Sequence, residues 1–287
     1  MKVSRARTPQ KKPKLGQHFL TDTAAAVRIV ESLGDLLHST VLEIGPGRGA
    51  LTSLLARRAR RVIAVEKDRV LAAQLRMHFS LASNVEVIEG DILAIDLDSL
   101  FGPKPGSTRP GMDLAPEKIR VLGNLPYFIT SDILLRLFHH RKYFELMVLM
   151  VQKEVADRLA AKPGTSEYGL LSATAQLYSR VEKLFTLPPG AFSPPPKVHS
   201  TVVRLEPSPR LDKLEVDEDG FMNFLKLSFA QKRKTLWNNL KVRYQSDELD
   251  RALTKARVKP STRAEALSLE TSANIFRELT SGDTHSA

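Results

Sequence analysis

Thr40-Val-Leu-Glu43-Ile-Gly45-Pro-Gly47-Arg-Gly49 is the stretch that decides the fold of this chain. A short apolar strand runs directly into a turn with glycine at every second position. Glycine there lets the backbone bend sharply into a helix and lets a ligand approach the main chain closely. Upstream, Asp22 or Thr23 caps a helix reaching about Leu37, with Val27, Val30, Leu33 and Leu37 on one face. Downstream, residues 50–60 read as helix, 61–66 as a second strand, 69–79 as helix, 85–89 as a third strand, 119–122 as a fourth, 131–140 as helix and 145–151 as a fifth strand. Continuous apolar strands alternating with amphipathic helices predict an α/β class fold, a parallel sheet covered on both faces.

Beyond it, residues 152–161 and 168–179 have helical period, and 184–187 and 200–205 read as closing strands joined by Phe192-Ser-Pro-Pro-Pro-Lys197-Val-His-Ser200. Pro207 and Pro209 mark a linker, after which 221–230, 233–242, 247–256 and 269–279 are all helical in period. The expected organisation is a basic flexible arm at 1–14, an α/β domain at 15–205 and a small all-helical domain at 206–287. The proline- and glycine-rich stretch from Pro103 to Pro116 is assigned no structure.

With 287 residues, 42% of them hydrophobic, the chain can bury a substantial core. It has no cysteine, which excludes disulfides, thiolate metal sites and cysteine nucleophiles. No apolar run reaches membrane-spanning length, and a cytoplasmic protein is expected. The formal net charge of +11 is unevenly placed. Residues 1–14 hold six basic side chains and no acid, and so does the stretch from Gly220 to Ser246. Two such clusters predict RNA or DNA as partner. On a helix, Phe229, Leu236 and Leu240 share an inward face while Lys232, Arg233 and Lys234 spread around the exposed side and grip phosphates.

Two carboxylates follow the next strand ends. Glu66 closes the second strand, where it can accept from both ribose hydroxyls of a nucleotide, and Asp91 follows the third in Glu-Gly90-Asp91-Ile92, where it can accept from an adenine amine. Singly, each reads equally well as a solvated strand terminus or a turn cap. Together with Gly45, Gly47 and Gly49 they converge on the crevice where open parallel sheets bind ligands. The choice between NAD and S-adenosylmethionine stays open on these residues alone.

The fourth strand ends in Gly123-Asn124-Leu125-Pro126-Tyr127. The Asn124 side-chain oxygen and a backbone carbonyl at Leu125 or Pro126 can accept both protons of an aromatic amine, aiming its lone pair at a methyl sulfonium. Methylation itself acidifies the remaining N–H, so no strong base is required. Tyr127 can stack on a flipped base. Phe192, before three prolines, reads equally as a second stacking ring or as a core residue.

The segments Leu15-Gly-Gln17-His18-Phe19-Leu20, Val41 to Thr52, Val65-Glu66-Lys-Asp68, Gly90-Asp91, Gly123 to Thr130, Val151-Gln-Lys-Glu154, Phe192 to Val198 and Phe229 to Leu236 together resemble the KsgA-type small-subunit rRNA adenine N6,N6-dimethyltransferases. The resemblance covers residues 15 to about 240. It implies a Rossmann-like S-adenosylmethionine-dependent sheet, and dimethylation of two adjacent adenosines in a hairpin near the 3′ end of small-subunit (16S) rRNA within a pre-30S particle, late in ribosome assembly. It implies that His18 and Leu20 contact the methionine end of the cofactor, that Gly45 and Gly47 lie beside it, that Glu66 holds its ribose and that Asp91 and Ile92 hold its adenine. Asn124 sits at the transfer point, Phe192 becomes the second stacking ring, and Lys197 joins the basic residues on RNA. A monomer without metal is expected. His18 stands where many relatives have asparagine, and Phe128 where they often carry a polar residue or tyrosine. The rivals are a large-subunit (23S) rRNA adenine methyltransferase of the antibiotic-resistance type, a non-enzymatic RNA-binding assembly factor and, more distantly, a DNA adenine methyltransferase.

Overall fold

The computed structural model describes residues 17–102 and 119–281; the expected basic arm and the stretch from Pro103 to Pro116 lie outside the described residues. In chain order the elements are β1 (Phe19–Leu20), α1 (Thr23–Glu31), β2 (Thr40–Ile44), α2 (Thr52–Leu55), β3 (Arg61–Glu66), α3 (Arg69–His78), β4 (Val85–Glu89), α4 (Leu97–Phe101), β5 (Ile119–Asn124), α5 (Thr130–His139), β6 (Phe144–Gln152), α6 (Lys153–Leu159) and α7 (Leu170–Tyr178). They continue with β7 (Ser179–Leu187), β8 (Phe192–Ser193), β9 (Ser200–Pro207), α8 (Leu211–Leu214), α9 (Glu218–Ser228), α10 (Leu236–Leu240), α11 (Ser246–Lys255) and α12 (Leu269–Ser281).

Seven strands form one sheet in the order β4-β3-β2-β5-β6-β9-β7. The first five are mutually parallel, whereas β9 runs antiparallel to both β6 and β7, so the expected parallel sheet is in fact mixed. The period of two in the strands sorts their side chains. Leu42, Ile44, Ile63 and Val65 enter one apolar cluster, while Val41, Val62, Leu122 and Val148 enter another on the opposite face. The first cluster continues through Phe138 and Tyr178 into Phe221, Phe224 and Phe276 of the C-terminal helices. The helical region therefore shares its core with the sheet. Arg141 reinforces the join: it lies 4.4 Å above the Tyr178 ring and donates to both carboxylate oxygens of Glu218 at 2.9 and 2.6 Å.

Several helices are shorter than their periodicity predicts. α1 stops at Glu31, and a left-handed Gly34 (φ +76°) turns the chain so that Leu36 is buried and Leu37 lies 65% exposed. Only Thr52–Leu55 of the expected 50–60 helix forms. The expected helix at 233–242 shrinks to α10 because the Thr235 side chain caps it, accepting from the Asn238 N–H, and the chain before Thr235 is a turn. Lys232, Arg233 and Lys234 therefore sit on a turn between helices. α4, capped by Asp96, is an addition to the expected elements.

Candidate active site

The β2–β5 boundary is where the strand order reverses: from β2 the chain crosses to β3 on one side, and from β5 to β6 on the other. Loops leaving the two strand ends diverge there and open a crevice. One cavity fills it. Its walls include His18, Leu20, Gly45, Gly47, Glu66, Asp91, Ile92 and the run from Asn124 to Tyr127, so the structure brings together the residues the sequence singles out for cofactor and transfer, Phe192 excepted.

The glycine turn forms because its residues adopt backbone that other residues resist. Gly45, Gly47 and Gly49 have φ of +66°, +59° and +82°. A Cβ on Gly47 would also meet the Phe19 ring at 3.0 Å. Glu66, 3% exposed, accepts from the Gly47 N–H at 2.9 Å and from the Asp68 N–H at 2.8 Å. This carboxylate thus ties the glycine turn to the end of β3 while forming part of the cavity wall. Asp91 accepts from Lys67 at 2.7 Å and from the Leu93 N–H at 3.0 Å. The Lys67 ammonium is the main reason its carboxyl is held below the usual range.

Glu43 is the residue that sequence reasoning missed. It lines the cavity at 1% exposure, and its Oε2 has no hydrogen-bond partner among the described residues. Burial pushes its carboxyl up to about 7, and the nearby Glu66 carboxylate works in the same direction. The available signal was an acid inside an otherwise apolar strand. A buried carboxyl in a cavity wall with one oxygen left unpartnered fits a cationic ligand, and S-adenosylmethionine carries both an ammonium and a sulfonium. Arg48, Lys67 and Phe128 also line the cavity without having been assigned to it.

At the end of β5, the Asn124 Nδ2 donates to the His18 carbonyl at 3.0 Å. A carbonyl can only accept, so this contact fixes which end of the amide faces it. Among the described residues nothing donates to Asn124 Oδ1 or to the Leu125 carbonyl, whereas the Pro126 carbonyl already accepts from the Ile129 N–H at 3.2 Å and the Thr130 hydroxyl at 2.9 Å. Of the two carbonyls the sequence left open, Leu125 is the one with spare capacity. Tyr127 is held at two points: its hydroxyl shares a 2.8 Å hydrogen bond with the fully buried Ser200, and its ring stacks on His18 with centroids 5.6 Å apart. Burial also keeps its phenol above the ordinary value. His18 Nδ1 lies 2.8 Å from the Pro194 carbonyl and must carry the proton there. β1 pairs antiparallel with β8, placing Leu20 opposite Phe192.

Phe192 is not brought to the cavity. It is 4% exposed and packs in the same apolar cluster as Leu20, Ala25 and Met150, the core position that the sequence left as the alternative. Lys197, Arg233 and Lys234 are exposed and make no ion pair among the described residues, while Lys232 donates to the Ser166 carbonyl at 2.8 Å.

This geometry agrees with what the chain resembles. The model of the family described as "Ribosomal RNA adenine dimethylase" matches residues 8–281. The Ribosomal RNA small subunit methyltransferase A of Koribacter versatilis is 56% identical over 282 residues, covering 98% of this chain and 99% of that one. Among solved structures, a dimethyladenosine transferase from Plasmodium falciparum superposes with a TM-score of 0.73 at 26% identity, covering 93% of this chain and 98% of that one. The 23S rRNA methyltransferase ErmE superposes with a TM-score of 0.65 at 27% identity, covering 91% and 99%. With nearly its whole length matched, the chain belongs to the ribosomal RNA adenine dimethylase family.

Proposed function

We propose that this protein is the S-adenosylmethionine-dependent enzyme that dimethylates N6 of two adjacent adenosines in the 3′-terminal hairpin of small-subunit rRNA, acting in the cytoplasm on a pre-30S particle. The observation that carries the reading is the Asn124 amide, anchored through its nitrogen with its oxygen left free at the cavity. The small-subunit assignment is favoured over the large-subunit one by 56% identity to a small-subunit methyltransferase against 27% to a 23S enzyme.

S-adenosylmethionine supplies an electrophilic methyl group on a sulfonium sulfur. Glu66 would hold its ribose, Asp91 and Ile92 its adenine, and His18, Leu20, Gly45 and Gly47 its methionine end, with Glu43 beneath as a counter-charge. Asn124 Oδ1 and the Leu125 carbonyl would accept the two N6 hydrogens of the target adenine. That pairing withdraws the amine from conjugation with the ring and directs its lone pair towards the cofactor, an interaction made most fully in the transition state. Tyr127, pinned by Ser200, would stack on the extruded base. The released proton passes to water. Lys197 and the turn at 232–234 would contact phosphates, the helical region serving as RNA-binding domain.

The test offers purified protein and labelled S-adenosylmethionine to undermethylated small subunits, mature large subunits, naked rRNA and duplex DNA. Label is expected in small-subunit particles. Label in large subunits or DNA, with none in small subunits, overturns the reading.

A further inference from the structure

Phe128 is the feature of the cavity that this reading does not use. It follows Tyr127 directly, lines the cavity mouth and is 65% exposed, the one phenylalanine among the exposed large hydrophobic residues described. Its backbone is held: the Ile129 N–H and the Thr130 hydroxyl both close onto the Pro126 carbonyl, forming the turn that starts α5. The ring is thus presented to solvent on a fixed turn beside the cavity.

The other aromatic groups near the cavity are less available. Phe192 is buried in the core, Phe19 is partly buried with the Arg48 guanidinium 4.5 Å over its ring, and one face of Tyr127 is covered by His18. Single-stranded RNA is bound by stacking successive bases on aromatic rings, because unpaired bases expose their faces to water. An adenosine turned into the cavity leaves its neighbour unstacked on that side.

We propose that Phe128 is a positioning residue that stacks on the nucleobase flanking the target adenosine, so that Tyr127 and Phe128 receive adjacent nucleotides. The inference rests on the function proposed above. It assigns Phe128 a role in substrate RNA recognition and none in methyl transfer.

The test compares wild-type protein with Phe128→Ala, Phe128→Leu and Phe128→Tyr, measuring kcat and KM for undermethylated small subunits and the Kd for S-adenosylmethionine. Loss of one stacked base predicts a rise of about tenfold or more in KM for Phe128→Ala, with kcat and the cofactor Kd changed by less than about twofold. Phe128→Tyr should restore the wild-type KM and Phe128→Leu should not, since only an aromatic face stacks. An unchanged KM in Phe128→Ala overturns the proposal. Full rescue by Phe128→Leu does so too, by assigning the ring to an apolar contact with a ribosomal protein. Wild-type protein inactive on small subunits would instead overturn the underlying function, and this proposal with it.

Discussion

The Asn124 side-chain amide hangs from the backbone carbonyl of His18, across 3.0 Å and 106 residues of chain. The N-terminal segment therefore orients the group to which the proposed transfer assigns its amine acceptor. Asn124→Ala removes the acceptor and should lower kcat by about 10²–10³-fold, the loss typical of one preorganised hydrogen-bonding group, while the cofactor Kd stays within a few-fold. Asn124→Asp keeps an acceptor but turns a second oxygen against the His18 carbonyl, and its activity should fall between wild type and Asn124→Ala. Steady-state kinetics with isothermal titration of the cofactor check both. Wild-type activity in Asn124→Asp would remove the His18 contact from the mechanism.

Tyr127 presents its ring through a hydroxyl bonded to a fully buried partner, Ser200. Tyr127→Phe keeps the ring but leaves the Ser200 hydroxyl without this bond, a stability cost of about 1 kcal/mol. Its kcat should fall only a few-fold. Tyr127→Ala loses the stacking face and should fall much further. Thermal melts and turnover on small subunits separate the two effects; equal losses in both variants would mean that the hydroxyl, not the ring face, matters.

The strand ends explain which parts of this site were legible in the sequence. Gly45, Glu66, Asp91 and Asn124 each terminate or closely follow an apolar run, and parallel strands place such ends side by side. Phe192 was not legible, because a two-residue strand gives no period from which to tell its inward side. The turn at residues 232–234 was hidden for a different reason. The spacing of Phe229, Leu236 and Leu240 matches one continuous helix, yet the Thr235 cap starts α10 afresh after the turn. Glu43 looked like part of a glycine motif; only its burial reveals a carboxyl with an unmet partner.

The turn carrying Lys232, Arg233 and Lys234 makes a graded prediction. Lys232 is already engaged with the Ser166 carbonyl, whereas Arg233 and Lys234 point no charge at any acid among the described residues. Arg233→Ala and Lys234→Ala should each weaken RNA binding and flatten the slope of log K against log salt by about 0.7–0.9 for every phosphate no longer neutralised. Lys232→Ala should do less. Binding titrations across a salt series measure this, and an unchanged slope in the Arg233→Ala, Lys234→Ala double variant would place the RNA elsewhere.

Glu43 couples the cavity to pH. Its carboxyl stands at about 7 in the folded chain against 4.5 when free, so the folded state binds this proton more tightly than the unfolded state does. Its contribution to stability is therefore most favourable below about pH 4.5, declines as pH rises towards 7, and stays at its least favourable above that. The span corresponds to at most about 3 kcal/mol. Glu43→Gln removes the titration, and its melting temperature relative to wild type should be higher at pH 8 than at pH 5. A cationic ligand reverses the preference, because it favours the ionised carboxyl. Wild-type affinity for S-adenosylmethionine should then strengthen between pH 6 and 8, while that of Glu43→Gln stays flatter. Calorimetric titrations at both pH values decide the point: parallel profiles for the two proteins would mean that Glu43 does not face the cofactor's positive charge.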